Sequence, residues 1–584
     1  MNTRNTTLDL FKGIAILAVI LYHAGLLSYG YLGVEVFLVI GGYLITKSIM
    51  RFYEHGHFNY FDFLCGRLLR LWPLAIIISA VSLFGGYFTM LPDAYKNTCE
   101  TAVGTCTFTN NYIQYITAGD YWDTANEYKP LMHTWYLGII FQFYVLYPLV
   151  FMLCHRFTKN FVRASRIVLM IVFSCSVLFF ILPGIDTAVT FYLLPARLYE
   201  FAAGGIVALL GMEQEETRNN HKVMATFLFF VIILLCVNDA YDMAKVRLML
   251  TVALSVLIIL YSEKNVEYSP LDGFKFLSVF VPLGVASYSL YLWHQVIFAF
   301  YRYAFNNELT IVDYLLIIGI SLLFGYFSYQ YVEKRIANFT KRSKLRTNSV
   351  VSLCALFTGL ISIVSIHYYR VKGVVRDIPE LDVYVNNPAS WEPQQYNASI
   401  TDNYEKEFPP KNGKKNVLVV GDSFARDWMN VLLESNIGDS VNLVYSKDIA
   451  KDLRSKIAQA DIVFLANHGK ADKYIDYLPA MMKKQFYRIG DKSYGRGIGV
   501  VYNHRRDNVY YQQTILYQEL QTDEEECLEF QGMYINMMDS IRNADGSICV
   551  FTPDKKLISH DGLHLTRAGA KRYAELINVK SLLK

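Results

Sequence analysis

The chain has 584 residues, of which 53% are hydrophobic, 15% aromatic and only 18% charged, with a net charge of +4. That composition excludes an ordinary soluble protein and points to many membrane-spanning segments. The basic residues sit in loops between apolar stretches, which reads as orientation in a bilayer and not as a nucleic-acid surface. The first apolar stretch has no small-residue cleavage site and runs on into a second span, so no cleaved signal peptide is expected.

Eleven apolar spans can be drawn, at 8–27, 33–52, 72–91, 134–153, 167–182, 188–210, 223–237, 248–261, 276–303, 311–331 and 350–368. With the N-terminus in the cytoplasm, the loops on that side hold 17 lysines and arginines and the opposite loops hold 4. That asymmetry sets the orientation. An odd number of spans then places everything beyond the last one outside the cytoplasm. From 370 to about 410 the chain is polar and rich in Asn, Pro and Tyr, as a linker or an ordered collar would be. Beyond it, short apolar runs alternate with helical segments. The runs at 416–420, 441–445, 461–466, 498–503 and 548–552 read as buried parallel strands. The expected divisions are a membrane domain over 1–340, an eleventh helix with its linker over 341–410, and an α/β domain over 411–584. Two cysteine pairs, Cys99 with Cys106 and Cys527 with Cys549, fall in segments where disulfides are permitted.

The first span carries Lys12 and His23. Eleven positions on a helix return to nearly the same face, about 16 Å along the axis. Ionisable groups inside a span are costly and normally face a protein interior or a wet cavity. Lys12 alone also fits a snorkelling anchor, and His23 a satisfied polar group near the far interface. Arg67 and Arg70 share one helical face in the first basic loop. Their guanidinium forks suit phosphate oxygens, and they also suit plain anchoring on the cytoplasmic side.

Lys12-x10-His23, the stretch from Gly33 to Ile49, Arg67-x-x-Arg70, His133-x-Trp135 with Gln142-Phe143-Tyr144, Arg197-x-x-Glu200, Ser287 to His294 and Tyr329 to Glu333 occur in that order. Together they resemble the acyltransferase-3 family, polytopic membrane proteins that acylate, usually acetylate, carbohydrates at the cell surface. The resemblance covers about residues 8–334. It implies that acyl-coenzyme A, acetyl-coenzyme A above all, is the donor, with Lys12, Arg67 and Arg70 as its binding residues and His23 as a catalytic one. Gly41 stands where the family usually has Ser, and Ile140 and Phe141 stand where it has acidic positions. A role tied to that acid does not carry over.

In the C-terminal part, a strand reading over 417–420 leads into Gly421-Asp422-Ser423 and then a helical stretch. A serine at such a strand-to-helix turn lies among free helix N–H groups that stabilise an oxyanion. Near the C-terminus stand Asp561 and His564, three apart, the right types to orient and deprotonate that serine. Asn467 follows the 461–466 run and offers a side-chain amide to an oxyanion. Gly-Asp-Ser, the mid-domain Asn and Asp-x-x-His resemble the SGNH hydrolase family. The family's glycine block has no match; Tyr445-Ser446-Lys447-Asp448 stands there instead.

The expected architecture is therefore a polytopic α-helical membrane domain, about ten helices plus an eleventh linking helix, followed by an α/β SGNH-hydrolase-like domain with a parallel sheet. The expected activity is O-acyl transfer from cytoplasmic acyl-coenzyme A to a hydroxyl of a bacterial surface glycan, such as O-antigen, peptidoglycan or exopolysaccharide. The site set is His23, Ser423, Asp561, His564 and Asn467 for catalysis and Lys12, Arg67 and Arg70 for the donor, with no metal. The bilayer and the glycan are the expected partners, with no nucleic acid. The expected location is the bacterial inner (plasma) membrane, with the SGNH-like domain on its outer side. Two rival readings are a membrane-anchored carbohydrate esterase and a glycan transporter with a modifying outer domain.

Overall fold

The structure is a computed structural model. It describes residues 6–56, 58–117, 126–211, 244–263, 275–305, 309–341, 343–388, 393–410, 412–438, 440–494, 498–503, 514–516 and 520–583. The chain forms two compact units. One is helical and covers Met1–Phe88, Ala94–Arg302 and Glu308–Tyr369; the other covers Arg370–Lys584 with the short segments Thr89–Asp93 and Tyr303–Asn307.

The helical unit begins with α1 (Thr6–His23), α2 (Gly33–Glu54) and α3 (Tyr60–Thr89). Two shorter helices follow, α4 (Pro92–Cys106) and α5 (Asn110–Thr117). Next come α6 (Trp135–Phe157), α7 (Phe161–Ile181), α8 (Thr187–Tyr192) and α9 (Leu194–Gly211). The last are α10 (Ala244–Glu263), α11 (Phe280–Val285), α12 (Ser287–Ala304), α13 (Ile311–Ser328), α14 (Lys334–Thr340) and α15 (Lys344–Arg370). Seven stretches of the described helix are long and apolar enough to cross a bilayer.

Three of the eleven expected spans differ. The 188–210 stretch divides into α8 and α9 because Leu193 is extended, with φ −103° and ψ 136°. The 276–303 stretch is broken into a 3₁₀ turn, α11 and α12. The 248–261 stretch is one helix, α10, that starts earlier and carries Lys245 and Arg247 in its first turn. The 223–237 stretch lies outside the described residues. Helices α2 and α9 approach closely. A Cβ on Gly42 would come within 2.0 Å of the Phe201 carbonyl, and one on Gly204 within 2.0 Å of the Val39 carbonyl. Small residues at such a crossing let two membrane helices touch backbone to backbone.

The α/β unit starts with residues 370–410. Instead of a free linker, this stretch contributes α16 (Pro393–Tyr404), which packs on the helix that follows the first strand. The strands are β1 (Lys415–Gly421), β2 (Val441–Lys447), β3 (Ile462–Ala466), β4 (Gln485–Ile489), β5 (Thr514–Leu516), β6 (Tyr534–Ile535) and β7 (Ser547–Cys549). Five form a parallel sheet in the order β2-β1-β3-β4-β6. The β1 and β3 runs are almost wholly buried, as strands covered by helices on both faces must be. The main helices of this unit are α17 (Ser423–Glu434), which follows β1, and α22 (Arg567–Leu576), near the C-terminus, with α18 (Leu453–Gln459), α19 (Leu478–Met481), α20 (Ile498–Asn503) and α21 (Leu520–Glu529) between them.

Two strand expectations are corrected. The 498–503 run is helix α20, and 548–552 contributes only to β7, which pairs antiparallel with β5 outside the main sheet. The cysteine pairs are corrected too, since all four residues are free thiols. Cys99 and Cys106 sit on one helix, α4. Seven residues of helix separate them by about 10 Å, more than a disulfide can span.

Candidate active site

The parallel order runs outward from β1 in both directions, and the strand ends there form the crevice where open α/β sheets place their chemistry. Ser423 follows β1, the 467–470 turn follows β3, and Asp491 follows β4. Gly421 closes β1 at φ +142°, and a Cβ there would meet the Ala466 carbonyl at 1.8 Å. Only glycine fits this corner. Asp422 caps α17 by accepting from the Phe424 N–H at 2.8 Å, which sets Ser423 in the first turn of the helix.

His564 Nε2 lies 3.0 Å from Ser423 Oγ, and its Nδ1 lies 2.5 Å from Asp561 Oδ2. Asp561 also accepts from the Leu563 and His564 N–H groups, both at 2.8 Å. Three residues that are 141 and 138 positions apart in sequence thus form a serine–histidine–aspartate relay. The Nδ1–H bond to Asp561 fixes the tautomer, so Nε2 presents a lone pair to the serine hydroxyl.

Asn467 is not offered to Ser423. Its Nδ2 donates to the carbonyls of His468, Gly469 and Lys470 at 3.0, 3.2 and 3.1 Å. The side chain is spent on its own turn, whose carbonyls also draw in buried Arg488. His468 stands at the serine instead. Its N–H donates to Asp422 at 3.0 Å, and its ring packs on Phe424 with centroids 5.3 Å apart. Its Nδ1 lies 3.1 Å from Asp491 Oδ1. Burial would raise the Asp491 carboxyl, but His468 and the N–H groups of Gly469 and Lys492 hold it below its ordinary value.

Asp427, one turn beyond Ser423, was not foreseen. It accepts from Asn397 at 2.7 Å and from the Leu565 N–H at 3.1 Å, and it pairs with Lys492 at 2.9 Å. Asn397 also donates to the Ser423 carbonyl at 3.0 Å. One buried carboxylate therefore ties the Ser423 helix to the loop carrying His564. An acid at i+4 from the serine was the available signal.

His560 extends the relay. Its Nε2 is 3.9 Å from Asp561, and its Nδ1 is 3.2 Å from Asp93, in the short 89–93 segment. Burial would lower the His560 pKa, but Asp561 first and then Asp93 raise it to about 9. Burial would likewise raise Asp561, and the charge on His560 with the hydrogen bonds from the His564 ring and backbone hold it far below the carboxylate range. His560 is thus charged at neutral pH. A raised folded-state pKa stabilises fully below the ordinary value of 6.5, and the effect is lost as pH rises through about 9. The unfolding temperature of the full chain is expected to drop between pH 7 and pH 10, and to drop less in His560→Gln. Equal drops in a thermal-shift series would refute this assignment. His560, Asp561 and His564 offer atoms within 4.8 Å of one another, close enough to hold a cation. Both nitrogens of His564 are already committed, so the group is a poor metal site.

In the helical unit, Lys12, Arg67 and Arg70 line one cavity of about 910 Å³, mouth included. Its other walls are mostly apolar and aromatic, including Phe37, Ile40, Leu44, Tyr136, Tyr288 and Tyr291. Lys12 pairs with buried Asp9 at 2.6 Å, Arg67 donates to Ser48 at 2.8 Å, and Arg70 lies 3.6 Å from Glu333. A neighbouring cavity shares Arg67 and Arg70 and adds Lys334 and Lys341.

His23 is not on that wall. It ends α1 beside His294 (ring centroids 5.1 Å apart), and His294 is 5.2 Å from His133. Tyr291 joins cavity and cluster: it lines the cavity, its hydroxyl donates to the His133 carbonyl at 2.7 Å, and its carbonyl lies 2.5 Å from His294 Nδ1. His294 Nε2 has no hydrogen-bond partner among the described residues. At the positions where an acid was missing, Ile140 lines the cavity and Phe141 stacks on Phe108. Buried acid comes from elsewhere. Glu35 and Glu200 both bind Arg197, and sequence reasoning missed Glu35. A carboxylate inside an apolar span was the signal.

These features define a multi-pass membrane protein with a cavity and a buried histidine cluster in its helical unit and an α/β unit that carries a hydrogen-bonded Ser–His–Asp triad. Residues 5–330 match the family described as the acyltransferase domain, and the chain belongs to this acyltransferase-3 family. It is 28% identical over 349 residues to "O-acetyltransferase OatA" of Staphylococcus aureus strain NCTC 8325, covering 56% of each chain. It is 27% identical over 305 residues to "Putative peptidoglycan O-acetyltransferase YrhL" of Bacillus subtilis strain 168, covering 49% of this chain and 47% of that one. It is 24% identical over 478 residues to "Putative O-acetyltransferase SAR0937" of S. aureus strain MRSA252, covering 78% and 76%. The chain thus spans about half the length of the curated relatives it matches first. No solved structure matches it.

Proposed function

We propose that the protein O-acetylates a glycan of the bacterial cell wall, taking the acetyl group from acetyl-coenzyme A on the cytoplasmic side of the plasma membrane and delivering it outside. The observation that carries this reading is the convergence of Lys12, Arg67 and Arg70 on one largely apolar cavity. A coenzyme A thioester needs cations for its phosphates and an apolar wall for its pantetheine arm. Lys334 and Lys341, beside the same arginines, extend the cationic face.

His23 then acts as base or transient acyl acceptor, with His294 and His133 beside it. The acetyl group reaches Ser423 in the α/β unit, which we read as an SGNH-type domain. Ser423 Oγ attacks the acyl carbonyl, and its proton goes to His564 Nε2 and on to the leaving group. A glycan hydroxyl then attacks the acyl-serine ester, its proton passing through His564 back to Ser423 Oγ. The thioester supplies the driving force, so no ATP is required. The relatives' names favour O-acetylation, and one of them favours peptidoglycan as acceptor.

The test is label transfer in membrane vesicles. Radiolabelled acetyl-coenzyme A is supplied at the cytoplasmic face, and label is followed onto glycan. Wild type is expected to label glycan, and His23→Ala to sit in the membrane at normal levels without doing so. Absence of transfer from any acyl-coenzyme A, with esterase activity at Ser423, would overturn the reading in favour of a deacylase.

A further inference from the structure

The helical unit brings three histidines together, and the proposed transfer assigns a step only to His23. His23 ends α1, His133 lies in the 3₁₀ turn ahead of α6, and His294 lies within α12. The His294 ring neighbours both others, with centroids 5.1 Å from His23 and 5.2 Å from His133. Two successive carbonyls of α12 hold two of the rings. His294 Nδ1 faces the Tyr291 carbonyl at 2.5 Å, and His133 Nε2 faces the Leu292 carbonyl at 3.1 Å. A carbonyl only accepts, so each of those ring nitrogens carries the proton. The remaining nitrogens, His294 Nε2 and His133 Nδ1, then carry lone pairs. Both are buried, and neither has a hydrogen-bond partner among the described residues. Buried polar atoms are rarely left so, and an exception calls for an explanation. A lone pair needs a donor, and His23 is the neighbouring ring whose own proton is not held by a carbonyl in this way. The helix of His294 also fixes where His23 stands, because Arg302 of α12 donates to the His23 carbonyl at 3.1 Å. Tyr291, whose carbonyl holds His294, lines the cavity of Lys12, Arg67 and Arg70.

We propose that His294 is the proton acceptor of the helical site: its Nε2 takes the ring proton of His23 as His23 attacks the thioester, and passes it to the coenzyme A sulfur. This rests on the reading of His23 as the transient acyl acceptor. One nitrogen of His23 bonds to the acetyl carbon, and the carbon–sulfur bond breaks with its electron pair going to sulfur. The proton on the other His23 nitrogen moves to His294 Nε2 and ends on that sulfur, so coenzyme A leaves as a thiol. An acylated His23 that kept its proton would be a cation facing a thiolate, and the acetyl group would return to sulfur. Removing the proton therefore commits the transfer. A neutral imidazole pinned at Nδ1–H and bare at Nε2 is the tautomer that can do this.

The test uses the full chain in membrane vesicles, in a Ser423→Ala background so that label is not passed on to the serine. Radiolabelled acetyl-coenzyme A is added, and rapid quenching reads the arrival of label on protein per folded chain. His294→Gln is expected to slow that arrival roughly hundredfold or more, with the half-saturating acetyl-coenzyme A concentration unchanged. Imidazole in the buffer is expected to restore part of the rate to His294→Ala. Pyrazole, a ring of the same size and far weaker basicity, is expected to restore none. An undiminished rate in His294→Gln would overturn the proposal. So would equal rescue by both rings, or a loss confined to half-saturation, because His294 would then fill space or line the donor site. Failure of the parent reading is distinguishable: label arriving undiminished in His23→Ala would show that His23 is not the acceptor, and would remove the proton step with it.

Discussion

Ser423→Ala is expected to cut glycan acetylation by ~10³-fold or more, the scale set by removing the nucleophile of a serine relay. His564→Ala should fall by a similar factor. The double variant should be no worse than either single one, because residues that act as a unit lose their effect together. The structure explains why the serine is so exposed to loss. Its Oγ meets His564 at 3.0 Å in a pocket where serine and histidine are both almost fully buried. The same vesicle assay reads the result, with label leaving acetyl-coenzyme A but staying off the glycan. Additive losses in the double variant would show that the two side chains do not work on one proton. Undiminished acetylation in Ser423→Ala would detach the α/β unit from the transfer altogether.

The parts of this architecture that were legible from sequence are those written locally. Unbroken apolar runs marked most helices and the strands β1, β2 and β3. Gly-Asp-Ser and Asp-x-x-His could be read because each motif is a few residues long and the chemistry needs both. What was missed depends on burial that only the fold creates. Strand β4 contains Arg488, which looks like a surface residue. In the structure it is fully buried, bound to Glu526 at 2.7 Å and to four backbone carbonyls. The 498–503 run was apolar enough for a strand but is short, and periodicity does not separate a short buried strand from a short buried helix. Asn467 reads as an oxyanion donor because it places a side-chain amide directly after the 461–466 run. The turn's own carbonyls, which claim that amide, carry no sequence signal. The cavity in the helical unit was half legible: Lys12, Arg67 and Arg70 stood out as charges, but their convergence on one wall is a property of the packed helices.

The second large effect concerns a charge cluster that no local pattern could pair. Glu35 on α2 and Arg197 on α9 are 162 residues apart. Arg197 binds Glu35 through both guanidinium ends, at 3.2 and 3.0 Å, and Glu200 at 2.7 Å. All three side chains are at most 1% exposed. The guanidinium also lies over Trp135 and Phe191, with centroid distances of 5.8 and 5.5 Å. Two carboxylates share one cation, at the helix pair joined by the Gly42 and Gly204 contacts. Removing the cation therefore strands two buried acids, whereas removing one acid leaves a matched pair. Breaking a buried ion pair on one side costs about 3–5 kcal/mol. Arg197→Met is accordingly expected to lose most folded protein from the membrane, and Glu35→Gln to lose far less, since its amide oxygen still accepts from Arg197. Fluorescence-detected size exclusion and thermal unfolding of the solubilised chain measure the order. A wild-type profile for Arg197→Met, or a worse one for Glu35→Gln, would show that the cluster is not what locks α2 to α9. Because α2 supplies Phe37, Ile40 and Leu44 to the cavity, the same lock holds the wall against which the donor is proposed to lie.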